Sequence, residues 1–215
     1  KDAIDFLANA RRFDWLFEIP AGARLDPLCL WRLATQAKEQ PDARAFFVDD
    51  DCCDNTGKHH SPRFKPGCNP GALQSADLAG PLCLRLDAWQ ATGGASRRDG
   101  SPWFAQLLRV AGAFGWTAIK HVPDILISYP GSFPSDPESC LIGLIDTLRD
   151  SGIDGEIVPT GGQSWGIRFP LGTPPKITIA IISGGQLDLL SRCLASILDK
   201  TRYPEFEIII ALGDT

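Results

Sequence analysis

Three consecutive stretches constrain the fold most: KITIAIIS (176–183), LDLLSRCLASILDK (187–200) and FEIIIAL (206–212). The first and third are short runs apolar at successive positions. Such runs suit strands covered on both faces, as in a parallel sheet. The middle stretch sets Leu190, Cys193, Leu194, Ile197 and Leu198 on one stripe at helical spacing. Together they read as a strand–helix–strand unit, the opening of a doubly wound α/β domain.

The preceding chain carries the same signals in a looser order. FDWLFEI (13–19) reads as a strand followed by a PAGAR turn. Asp26 and Pro27 then supply a cap and a first-turn proline for a helix containing Leu28, Trp31 and Ala34. ARAFFVDD (43–50) reads as a second strand, and 51–72 as a long polar loop rich in Gly, Pro and Asn. PLCLRL (81–86) is a short strand, DAWQAT a short helix stopped by Gly93 and Gly94. Ser101 and Pro102 open an amphipathic helix with Phe104, Leu107, Leu108 and Ala111 on one face. Residues 116–130 are extended, and from Gly131 to Pro175 Pro and Gly become frequent around one helix and one strand-like stretch, WGIRFPL.

Composition closes off some function classes. The net charge of -5 argues against a general nucleic-acid binder, which needs surplus Lys and Arg to neutralise phosphates. No apolar run is long enough to span a bilayer, and the N-terminus shows no secretory signal pattern, so a cytoplasmic protein is expected. The seven cysteines are odd in number and irregularly spaced, which suits reduced thiols. The chain starts at Lys1, has no methionine and ends on EFEIIIALGDT, a strand and the loop after it; a segment of a longer polypeptide is expected.

Two blocks carry a resemblance. KITIAIISGGQLDLLSRCLASILDKTRYPEFEIII resembles the start of a family 2 glycosyltransferase domain of the GT-A fold. LDPLCLWRLATQAKEQPDARAFFVDDDCCDNTGKHHSPRFKPGCNPGALQSA, LCLRLDAWQATGG and IKHVPDILISYP resemble, in order, the second half of such a domain. The resemblance implies an α/β fold, a GT-A-like mixed sheet with flanking helices and incomplete domains. It implies three parts: residues 1–130 as the back half of one domain, 131–175 as a linker with a small subdomain, and 176–215 as the front of a second. This is the layout of tandem bacterial glycosyltransferases that build surface polysaccharide. The implied partners are a nucleotide sugar and a glycan acceptor, and the implied cofactor is a divalent metal, Mg or Mn.

Inverting transfer needs a metal to neutralise the leaving diphosphate and a carboxylate to take the acceptor's proton. By the resemblance, the metal motif falls on Pro20, Ala21, Gly22 and Ala23, whose side chains bind no metal; Glu18 is the nearest acid. The base falls on Trp103 and Ala105, with Asp99 just upstream. A metal-assisting histidine falls on Ile127, Ser128, Tyr129 and Pro130. Three places without the needed chemistry lead to the expectation of a catalytically degenerate copy. The alternative is a glycan-binding or scaffold module, in which Trp103 stacks on a sugar ring. The resemblance sets Asp49, Asp50 and Asp51 on the sugar or acceptor side of the cleft, with a structural role in pinning the FKPGCNP loop as the other reading. In the second domain it sets Ser183, Gly184, Gly185 and Asp214 at the nucleotide.

The other constellations admit bland readings. Cys52, Cys53, His59, His60 and Cys68 offer zinc ligands, but adjacent cysteines chelate poorly and no CxxC is present; ordinary loop residues are the other reading. An EF-hand counted from Asp49 puts Asp54 where glycine is required. His121 reads as a structural or exposed histidine, and Arg97, Arg98 and Asp99 as a phosphate contact or a solvated turn.

Overall fold

The computed structural model describes residues 13–93, 102–134, 137–150, 154–161 and 164–213. It is a mixed α/β protein of two compact units, meeting in sequence between Phe169 and Pro170.

The first unit runs β1 (Trp15–Phe17), β2 (Arg24–Leu25), α1 (Cys29–Glu39), β3 (Ala45–Cys53), β4 (His59–Arg63), α2 (Pro70–Ser75), β5 (Cys83–Arg85), α3 (Leu86–Ala91), α4 (Pro102–Phe114) and β6 (Ile119–Pro130). After these come α5 (Pro137–Asp150), β7 (Glu156–Gly161) and β8 (Ser164–Arg168). A mixed sheet orders β1-β5-β3-β6-β2, with β4 also on β3. The centre is β3. It runs parallel to β6 along its whole length on one edge. On its other edge β5 covers the first residues and β4 the last, both antiparallel.

That central place explains the burial of all nine β3 residues, acids included. Alternate side chains serve two cores. Ala45 and Phe47 enter one with Leu84, Trp89, Leu107 and Ile119. Phe46, Val48 and Cys52 enter the other with Leu33, Val122 and Leu126. Helix α4 buries the expected Phe104, Leu107, Leu108 and Ala111. Its remaining inward face builds a third core with Cys140, Leu144 and Leu148 of α5 and Trp165 of β8. Helix α5 and strand β8, within the stretch expected as linker and small subdomain, therefore share a core with α4.

The polar stretch 51–72 departs from the expected irregular loop. Its first residues extend β3 to Cys53, residues 59–63 turn back as β4, and Asn69 caps α2 by accepting from the Ala72 amide. Asp54 organises the turn between the strands: one carboxylate oxygen accepts from the backbone of Thr56 and Lys58 and from the Thr56 hydroxyl. Polarity there signals a hairpin turn anchored by a side chain.

The second unit is β9 (Ile177–Ser183), α6 (Leu187–Lys200) and β10 (Phe206–Leu212), with the strands paired parallel. The expected strand–helix–strand is present within a residue of its sequence bounds. Taken by itself, this unit leaves Ile182, Leu187, Leu198 and Leu212 exposed.

Two core thiols give the fold an alkaline signature. Burial pushes Cys29 up to about 11 and Cys83 up to about 12, from an ordinary 9.0. Both are raised, so from about pH 9 upward the unfolded chain loses protons that the folded chain keeps. Stability then falls as pH rises through this window. Urea unfolding of the protein and of Cys83→Ala, compared between about pH 8 and about pH 11, isolates the effect from other titrating groups. The unsubstituted protein is expected to lose more stability than the variant; an equal loss would remove Cys83 from the account.

Candidate functional site

The acidic end of β3 gathers most of the polar chemistry of the first unit. Asp49, Asp50 and Asp51 are all buried. The β3–β6 register shifts at Val48/Asp49 and again at Asp49/Asp50, and the β3–β4 register shifts between Asp50 and Cys52. Such irregularities re-aim side chains, and each aspartate meets a different set of partners.

Asp50 is fully buried between two cations. Arg63 grips it as a fork, Nε on Oδ1 and Nη2 on Oδ2, both at 2.7 Å. Lys65 Nζ lies 2.9 Å from Oδ2 and donates also to the Ala79 carbonyl at 2.7 Å. Burial pulls the Lys65 ammonium below its ordinary range, and the attraction of Asp50 works against that. Tyr129 completes the node: burial, then the Asp50 charge, pushes its phenol well above the usual value. Gly80 turns beside these groups with a φ of 64°; a Cβ there would stand 3.5 Å from Lys65 Nζ and 3.6 Å from Asp50 Oδ2. Glycine is therefore suited to this corner by conformation and by space.

Asp49 accepts from the Lys65 amide at 2.9 Å and meets His121 Nε2 at 2.7 Å. The His121 ring stacks on Phe47 with centroids 4.8 Å apart, so it is a structural histidine. Asp51 Oδ2 meets His59 Nδ1 at 2.8 Å, while its Oδ1 is buried without a partner. Ser128 Oγ approaches the same His59 nitrogen at 3.4 Å. A nucleophile relay needs the serine and the acid on opposite ring nitrogens, so Ser128, His59 and Asp51 do not form one.

This arrangement does not fit a divalent metal. The two Asp50 oxygens already face Arg63 and Lys65, and the bonded oxygens of Asp49 and Asp51 face histidines or an amide. Among the described residues, no group of three His, Cys, Asp or Glu side chains is placed to hold a metal ion. Of the five zinc-type residues, Cys52 and Cys53 pair in register with His60 and His59 across β3 and β4, but His59 is bonded to Asp51, His60 to Ser61, and Cys68 Sγ donates to the Trp116 carbonyl.

Pro20 to Ala23 form a tight turn, Ala23 donating to the Pro20 carbonyl at 3.1 Å with Gly22 at a φ of 92°. Glu18 follows the end of β1 rather than lying in it. Trp103 is half-buried in the first turn of α4, with its indole nitrogen buried and unbonded. Ala105 is buried at the α4–α5 contact, where a Cβ on Gly143 would come within 3.1 Å of its own. In the second unit Ser183 ends β9 and its carbonyl accepts from Gly213 at 3.0 Å. Ser183 and Gly184 line a cavity of about 230 Å³ with Gln186, and Gly185 turns at a φ of 87°. Asp214, Arg97, Arg98 and Asp99 lie outside the described residues.

Sequence reasoning named the acids, and named His59 as a zinc candidate, but did not pair Asp51 with His59 or Asp50 with Arg63. A signal for the cations was present in PRFKP: residues two apart in an extended chain share a side, so Arg63 and Lys65 can converge on one carboxylate.

No helix among the described residues is long and apolar enough to cross a membrane. No family model matches the chain. The chain is 26% identical over 202 residues, 86% of its length, to the uncharacterized protein y4gI of Sinorhizobium fredii (strain NBRC 101917 / NGR234), spanning 22% of that protein. It is 26% identical over 218 residues, 96% of its length, to the O-antigen biosynthesis protein RfbC of Myxococcus xanthus, spanning 17% of it. Along nearly its whole length this chain is thus similar to a short stretch of a much longer protein of O-antigen biosynthesis.

Proposed function

We propose that the chain is a segment of a polysaccharide-biosynthesis protein of the family 2 glycosyltransferase type, with GT-A-like units. In this reading the first unit holds a glycan in place and does not itself transfer sugar. The similarity to an O-antigen biosynthesis protein supports the pathway class. The observation that carries the non-catalytic role is the occupation of the acidic strand end: Asp50 is sealed between Arg63 and Lys65. A carboxylate so neutralised and so buried is a poor metal ligand and a poor proton acceptor. The tight turn at Pro20–Ala23 and the packing of Ala105 on α5 agree with this. The second unit, with Ser183, Gly184 and Gly185 between a parallel strand and a helix, is the nucleotide-facing element in the same reading.

Calorimetric titration of the chain with UDP-, GDP- and dTDP-linked sugars, with and without manganese, tests the proposal. No manganese-dependent binding is expected. Manganese-dependent binding that is lost in Glu18→Gln would restore a metal site beside β1 and overturn the non-catalytic role.

A further inference from the structure

We infer that Arg24 and His59 form a site for an oxyanion carried by a glycan, a carboxylate or a phosphate, at the carboxyl end of β3. The inference rests on the reading of this unit as glycan-holding and names the ligand class and the place.

Four polar side chains cross one face of the sheet there. Arg24 on β2 is the cross-strand neighbour of Ser128 on β6, and Ser128 is the neighbour of Asp51 on β3. Such neighbours share a face. His59 on β4 reaches the same face, since its Nδ1 lies 2.8 Å from Asp51 Oδ2. β3 and β6 are parallel, and ligands of α/β sheets bind beyond the carboxyl ends of such strands.

Arg24 and His59 approach this face from opposite edges. The Arg24 guanidinium stands at the turn between β3 and β4, where a Cβ on Gly57 would lie 3.7 Å from its Nη1. In the sheet, β6 and β3 separate β2 from that turn, so the side chain spans both strand ends. His59 follows Gly57 by two residues and returns over β3 to Asp51.

The two side chains offer donors without an acceptor between them. Every other described arginine of the first unit bonds a carboxylate or an amide through its side chain. The exposed Arg24 has no such partner among the described residues. Asp51, whose side chain is only 6% exposed, holds the His59 ring by Nδ1, and a carboxylate accepts only. The ring is 64% exposed, which leaves Nε2 as its outward nitrogen. With both ring nitrogens protonated, Nε2 donates as well. Arg24 then supplies a planar fork and His59 a second charged donor. One oxyanion answers both, and charge-assisted bonds of this kind are about twice as strong as neutral ones. A sugar hydroxyl alone leaves the guanidinium charge unanswered, so the acidic substituent is what the site selects.

The test uses the full chain at low salt without divalent metal. Methyl glucuronide, methyl glucoside 6-phosphate and neutral methyl glucoside are titrated by saturation-transfer NMR, with UDP as competitor. Binding of at least one acidic glycoside is expected, at about millimolar affinity for so few contacts. The neutral glycoside should bind about tenfold more weakly. Binding of the glucuronide alone assigns a carboxylate, of the 6-phosphate alone a phosphate, and of both their shared chemistry. Arg24→Gln should weaken binding about tenfold, and Arg24→Lys less, because a lysine keeps the charge and loses the fork. His59→Gln should weaken it about threefold. Arg24 is exposed and unpaired, so the thermal midpoint of its variants should stay unchanged. Silence from both acidic glycosides, equal binding of the neutral one, or binding indifferent to Arg24→Gln or His59→Gln would each overturn the inference. UDP held by Arg24 about tenfold more tightly than either glycoside would overturn it too, by assigning the site to a nucleotide. Because metal is absent throughout, the manganese titration of nucleotide sugars still tests the broader reading independently of these outcomes.

Discussion

Replacing Asp50 with alanine is expected to destabilise the first unit by about 3–5 kcal/mol, because a buried pair broken on one side leaves its partner charge uncompensated. Asp50 has no exposed surface, and the Lys65 side chain is only 2% exposed. Without the carboxylate, the buried Lys65 ammonium is left beside the part-exposed Arg63 guanidinium with no counter-charge between them. The burial that already depresses Lys65 then acts without its main counter-charge. A base whose folded pKa is lowered binds fewer protons folded than unfolded, so stability rises with pH up to the ordinary lysine value. The alanine variant should therefore recover part of its loss as pH is raised toward that value. Adding Lys65→Met should also recover part of it, since removing both members of a buried pair costs less than removing one. Guanidinium unfolding measures all three proteins. A loss below about 1 kcal/mol for the single variant would place Asp50 among solvated surface pairs, contrary to its burial.

The second large effect concerns the position where the family resemblance calls for a proton acceptor. Ala105→Asp should cost about 3 kcal/mol or more, by adding atoms to a packed contact and burying an unpaired carboxyl. The Ala105 side chain is buried against the Gly143 backbone of α5, an approach so close that even a methyl group on Gly143 crowds it. No room for an acceptor hydroxyl exists there. The introduced acid should also stay protonated to an unusually high pH, because burial penalises its charged form. Thermal unfolding of Ala105→Asp beside Trp103→Asp separates packing from chemistry: the half-buried Trp103 position should accept the charge at lower cost. Unchanged stability in Ala105→Asp would mean that this side chain reaches solvent, and the non-catalytic reading would lose one of its supports.

Periodicity made the elements legible. The strand–helix–strand of 177–212 and the inward face of α4 follow directly from where apolar residues recur. The segment 51–72 was not legible in the same way. Its strand β4, HHSPR, has no apolar alternation, because it is held by a turn centred on Asp54 and by ion pairs to β3. Pattern reading registers hydrophobic burial and misses an element fixed by charge.

The candidate site divides along the same line. DDD at a strand end is visible in the sequence, and so is the absence of any metal-binding side chain at Pro20–Ala23. Both are local facts about residue type. What the aspartates do depends on Arg63, Lys65, His59 and His121, which lie between 8 and 72 residues away from them. A bare acidic triplet is equally a metal site, a sugar site or a salt-bridge anchor, since a carboxylate's role is set by the charges around it. Sequence alone determined the strand, the acids and the missing motif. Tertiary structure decided that two cations and two histidines surround the acids, because β4 with the turn after it and β6 border β3 on opposite edges and bring Arg63, Lys65, His59 and His121 to it.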